Sequence, residues 1–125
     1  MIFAFADDGT LSVYDTEAEV QRECEGVDVE NRVYSFYNEY GVFLEPVFVA
    51  PNKRGKALGL VAWVESGTYK LTPDPAAKED SFALALFETS VLNPNRWFSG
   101  LVELKSAMAS KGVVVEVIAP RAGET

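Results

Sequence analysis

The sequence predicts an α+β fold: a mostly antiparallel sheet of six or seven strands with about three helices packed on it, as one globular domain over residues 1–125. Three observations carry that expectation. Segments with strand character are short, rich in aromatic and β-branched residues, and separated by turn signals. Helical patterning appears only around Thr16–Gly26, Asp74–Ser90 and Trp97–Gly112. The resulting order, roughly ββαβββ(β)ααβ, groups strands together instead of alternating them with helices, which is the α+β habit and not that of a regular βαβ winding.

Taken in order, IFAF and LSVY are apolar runs joined by ADDGT, whose Asp8-Gly9 pair is a hairpin-turn signal. Thr16 opens a helix with Glu19 three positions on, the spacing of a capping box. Val20 and Cys24 are its inward pair at i and i+4, and Gly26 is the expected terminator. RVYSFY, NEYG and VFLEPVFV read as a second hairpin, with Pro46 marking an edge or a bulge. PNKRGK reads as a loop whose lysines and arginine make an exposed hairpin tip soluble. ALGLVAWV then reads as a strand covered on both faces, with Trp63 in the core, and Ser66-Gly67 as either a tight turn into a further strand or a bulge.

Asp74-Pro75 is a cap and first-residue pair for a helix running through SFALALFETS, although the alternation in FALALF would also suit a strand. Asn93-Pro94 closes that element. In WFSGLVELKSAMASKG, Leu101, Leu104 and Met108 fall on one stripe and Gly112 follows, so this is a helix; Trp97-Phe98 should plug the end of the core beside it. VVVEVIAP reads as a closing strand.

The composition removes whole classes of chemistry. The chain has no histidine and a single cysteine. Histidine-based nucleophile pairs, general bases and zinc sites are therefore excluded, as are cysteine-rich metal sites and internal disulfides. GKALG is not a phosphate loop, because the first glycine and the Ser or Thr after the lysine are both missing. VDVEN, residues 27–31, has no glycine turn with ligands at the spacing of a calcium loop. No cofactor is expected. The longest apolar stretch, residues 57 to 64, is too short to span a membrane, and MIFAFADD lacks a basic n-region, so the expected location is the cytoplasm.

Charge is the most uneven property of the chain. Net charge is −8, yet residues 1–50 alone carry −9 and residues 51–125 carry +1. Between Asp7 and Glu30 there are nine carboxylates and one base, Arg22. Such a field repels nucleic acid and anionic membranes and attracts basic proteins. Glu19, Glu23, Glu25, Asp28 and Glu30 are the candidate partner-binding residues. Glu23 and Glu25 raise a question, since the last turn of a helix favours bases and each acid there costs a few tenths of a kcal/mol to about 1 kcal/mol. A solvated, solubilising helix face is the competing reading. Cys24, between acids at a helix end, should be an unreactive packing residue.

The compact single domain, the lack of a catalytic constellation and the stretch DTEAEVQRECEGVDVEN resemble, in kind, the small acidic immunity proteins with which bacteria neutralise their own protein toxins. The resemblance implies a non-catalytic inhibitor that docks a basic partner through carboxylates and aromatics. Two other classes compete with it. One is a histidine-free enzyme or small-molecule binder using carboxylates such as Glu65 or Glu88 in a cleft between sheet and helices. The other is a structural module that forms homo-oligomers through Trp97 and strand edges.

Overall fold

The computed structural model describes residues 1–57, 60–76 and 81–113. Twelve elements follow one another along the described chain: β1 (Ile2–Ala6), β2 (Thr10–Tyr14), α1 (Glu17–Glu23), α2 (Gly26–Glu30), β3 (Tyr34–Asn38), β4 (Phe43–Ala50), β5 (Lys53–Ala57), β6 (Leu60–Glu65), β7 (Thr68–Pro73), α3 (Ser81–Phe87), β8 (Val91–Leu92) and α4 (Leu101–Ser110). Six strands form one sheet in the order β7-β4-β3-β1-β2-β8, and β5 and β6 form a separate pair. All pairings in the large sheet are antiparallel except β2 with β8. The fold is α+β, with helices on both faces of the sheet.

The period-2 alternation of the strands decides which helices cover which face. Phe3 and Phe5 of β1, Leu11 and Val13 of β2, and Tyr37 of β3 point to one side, where they pack with Phe82 and Leu86 of α3 and Leu104 and Met108 of α4. Ala4, Phe36, Leu44 and Tyr69 point to the other, against Val20 and Cys24 of α1 and Val29 of α2. Aromatic rings order the first core: Phe82 meets Phe5 and Tyr37 edge-on, with centroids 5.8 and 5.4 Å away. Trp97 and Phe98, half-buried, pack against the same cluster and close its end, as the sequence predicts.

Several elements obey their local signals. The β1–β2 loop turns on Gly9 at φ +89°, with Gly9 N–H donating to Ala6 O at 3.1 Å. Thr16 caps α1 by accepting from Glu19 N–H at 3.2 Å, and the Glu19 carboxylate accepts from Asp15 N–H at 2.7 Å, so the two ends of the capping motif support each other. Gly112 at φ +81° ends α4. Pro46 sits where β4 has outrun β3, whose pairing stops at Leu44, so the missing N–H is not asked for on that side.

Other expectations need correction. KRGK is not a loop: residues 53–57 form β5, paired antiparallel with β6 from Lys53↔Glu65 to Ala57↔Leu60. ALGLVAWV does supply a strand, β6, but it pairs with β5 alone among the described strands and its Val64 is exposed, so the cover expected on both faces is not found there. The expectation for Trp63 concerns a side chain outside the described residues, and so does the strand expected beyond Val113. The helix expected through SFALALFETS spans only Ser81–Phe87 among the described residues; Val91 and Leu92 beyond it form β8, anchored by Val91 N–H and Asn93 N–H on Gly9 O and Leu11 O. GVDVE gives a second helix, α2, so the described residues hold four helices instead of about three. No described helix is long and apolar enough to cross a membrane.

β4 and β7 run on into β5 and β6 as one long ribbon with an elbow at Pro51-Asn52 and Ser66-Gly67. Asn52 holds that elbow. Its Oδ1 accepts from Gly67 N–H at 2.7 Å, while its Nδ2 donates to Gly26 O at 3.1 Å and to Glu30 Oε1 at 2.8 Å. The approach is so close that a Cβ on Gly26 would stand 2.6 Å from Asn52 Oδ1 and 2.8 Å from Gly67 O. Gly26 is therefore not a helix terminator. It is the first residue of α2, and glycine is needed there because the ribbon passes against it.

Candidate protein-binding face

α1 and α2 share one face of the sheet and carry the acidic segment. Residues 15–31 hold seven carboxylates and one base, Arg22. The chain breaks helical geometry at Cys24, whose backbone is extended (φ −107°, ψ 101°), and α2 starts two residues later. This answers the question of the misplaced acids. Glu25 is not in the last turn of a helix; it is the residue that caps the start of α2, with Asp28 in that helix's first turn, where partial positive charge favours acids.

Glu23 does lie at the end of α1, where the neighbouring Arg22 stands 3.6 Å from its carboxylate and both side chains are exposed. The carbonyl left open at this end, that of Cys24, is met from a strand. Tyr69 Oη on β7 donates to Cys24 O at 2.6 Å and lies 3.3 Å from Val20 O, which accepts from Cys24 N–H. α1 in turn covers the open edge of β7: Gln21 Nε2 donates to Tyr69 O and Glu17 Oε2 accepts from Leu71 N–H, each at 2.6 Å. Glu17 thus seals a strand edge that would otherwise be a template for pairing.

The five candidate residues consequently differ in what they are free to do. Glu19 completes the cap of α1, and the Asp15 N–H, with a smaller contribution from the Thr16 backbone, holds its carboxyl below the ordinary carboxylate value. Glu30 is engaged by Asn52 and lies 3.7 Å from Arg54, the first arginine of the ribbon. Asp15, not among the candidates, pairs with Arg96 at 3.1 Å. Glu25 and Asp28 have no ion pair among the described residues, and Glu23 has only its sequence neighbour. The available negative charge therefore centres on Glu23, Glu25 and Asp28 around the α1–α2 junction.

Beneath that junction lies a cluster of hydroxyls and one thiol. Cys24 is fully buried, and its Sγ–H points at Tyr14 Oη 3.9 Å away. Burial, with smaller contributions from Glu23 and Asp28, pushes the thiol up to about 11 against the opposing pull of the Tyr14 and Tyr34 hydroxyls. Burial likewise raises Tyr14 to about 12, and raises Tyr34 and Tyr69. None of these groups ionises near neutral pH, so the cluster packs and hydrogen-bonds without offering a nucleophile. Among the described residues no three potential ligands gather to hold a metal ion.

The carboxylates named for a cleft-based site separate. Glu88 lines a cleft on the opposite face of the sheet, with Asp7 and Arg32, and Glu65 is not among its walls. Arg32 gave no signal in the sequence, because its place depends on the chain turn after α2. No protein-family model, curated protein or solved structure matches the chain.

Proposed function

We propose that this protein is a non-catalytic binding protein that docks a basic protein partner through the α1–α2 face, acting in the bacterial cytoplasm as an immunity-type inhibitor of a toxin. The observation that supports this reading is the exposed Glu25 and the half-buried Asp28, neither ion-paired among the described residues, beside the exposed Glu23 on a helical layer whose single internal base is Arg22. Carboxylates so placed accelerate encounter with a cationic surface, and the affinity that lasts comes from groups desolvated at the centre of the contact. The rigid support beneath them, α1 capped at both ends and pinned to β7, keeps the charges in fixed positions without induced ordering.

The test is affinity capture from the native host at low and high salt, followed by association kinetics with the retained protein. A single basic protein, held at low salt and released at high salt, whose association slows when Glu25 and Asp28 are neutralised, meets the expectation. Retention that ignores both salt and these two substitutions would remove the reading.

A further inference from the structure

On the other face of the sheet, a cleft of about 460 Å³ opens at the ends of β1 and β3, beside the closing turn of α3. Its floor is apolar, from Phe5 and Ala85, and its rim carries Asp7, Arg32 and Glu88. All three charged residues are exposed, and among the described residues none of them is in an ion pair. Opposite charges thus face one concavity while standing beyond salt-bridge distance of one another. The volume lies within the range of small-molecule sites, roughly 300–1,000 Å³, and an apolar floor with a few polar groups at the rim is their usual lining.

Arg32 adds an independent observation. It follows α2 at φ +59°, the only described residue other than glycine in the left-handed region. This is the position where helices commonly place glycine, and a bulky side chain there is disfavoured by contact between Cβ and the following carbonyl. Strained positions of this kind concentrate at ligand sites, where the side chain's placement matters more than the backbone's comfort.

We propose that this cleft binds a free basic α-amino acid of the arginine or lysine type. Arg32 takes the α-carboxylate, and Asp7 and Glu88 take the two cationic groups, so that one base and two acids meet one anion and two cations. The aliphatic stem lies on Phe5 and Ala85. The α-carboxylate held by the Arg32 guanidinium is what separates this ligand from the basic side chain of a bound protein, which brings no carboxylate of its own.

The test is calorimetric and NMR titration of the whole chain with L-arginine and L-lysine, beside agmatine and cadaverine, which lack the carboxylate. Saturable binding is expected, with shifts at residues 5–9, 32–35 and 85–89, and with the decarboxylated analogues at least about tenfold weaker. Arg32→Gly relaxes the backbone and so keeps the fold; it should weaken L-arginine about tenfold and bring it level with agmatine. Glu88→Gln, at an exposed position, should weaken both. Neutralising Glu25 and Asp28 should leave the amino acid's affinity unchanged, which separates this site from the proposed docking face. No saturation at millimolar ligand, agmatine binding as tightly as L-arginine, or indifference to Arg32→Gly would each overturn the proposal.

Discussion

The hydroxyl of Tyr69 donates to the backbone carbonyl of Cys24 at 2.6 Å, joining an edge strand to the last turn of a helix 45 residues earlier. The same hydroxyl reaches Val20 O, and the ring stacks on Phe36 with centroids 6.4 Å apart. One side chain thus fills the core between sheet and helix and supplies the donor that α1 lacks at its C-terminal end. Tyr69→Phe keeps the ring and removes the donor, leaving Cys24 O without its partner in a buried setting. The expected loss is about 1–3 kcal/mol in denaturant-unfolding stability, with little change in the slope of the transition.

The ribbon's elbow makes a sharper prediction. Gly26→Ala places a methyl group against Asn52 Oδ1 and Gly67 O, so either the ribbon or α2 must shift. Overpacking of this kind costs roughly 1–3 kcal/mol. Asn52→Ala should also destabilise, since Gly67 N–H and Gly26 O each lose a partner. The double variant should cost less than the sum of the two, because Asn52→Ala removes the nearer of the two atoms that the new methyl meets. Urea midpoints for the three variants check this.

These relationships show where sequence reasoning stops. The Thr16–Glu19 cap, the Asp8-Gly9 turn and the Gly112 terminus each depend on residues within four positions of one another, and each was legible. The α2 helix was not, because five residues carry too little periodicity and Gly26 resembles a stop until Asn52 and Gly67 are placed against it. β5 hides its strand character behind Lys53, Arg54 and Lys56, and its partner is the stretch that read as covered on both faces. β8 is two residues long and exists through carbonyls of Gly9 and Leu11, some 80 positions away. The acidic character of the first fifty residues was plain from composition. Which of those acids remain unpaired was not, because Arg54 and Arg96 come from distant segments to meet Glu30 and Asp15.

Acid should weaken the fold through a defined contact. Glu39 accepts from Lys111 Nζ and from the terminal ammonium group, each at 3.1 Å, and these partners hold its carboxyl below the ordinary value of 4.5. A carboxyl whose folded value is depressed contributes its stability above the unfolded value, and that contribution disappears as pH falls through the folded one. Glu39→Gln should therefore reduce stability at pH 7, by at most about 1 kcal/mol because both partners are partly exposed to solvent. At a pH below the folded value the variant and the parent should unfold alike. A deficit that persists unchanged into strong acid would point to packing instead of charge.

The acids of the α1–α2 layer should separate into structural and available groups when neutralised one at a time. Glu19→Gln weakens the acceptor for Asp15 N–H, so it should destabilise the isolated chain even though it removes a like-charge neighbour of Glu23. Glu23→Gln gives up only an exposed contact with Arg22 at the end of α1, and the charge it removes is unfavourable there, so stability should hold or rise slightly. Glu25→Gln and Asp28→Asn each remove an acid from the start of α2 and should cost a few tenths of a kcal/mol to about 1 kcal/mol at low salt. Against a basic partner the ranking changes. Glu23, Glu25 and Asp28 should each slow association in a salt-dependent manner, whereas Glu19→Gln should affect association no more than its effect on folding requires. Thermal unfolding and stopped-flow association on the same four variants measure both quantities, and a common ranking in the two would mean that the layer's charge serves the fold alone.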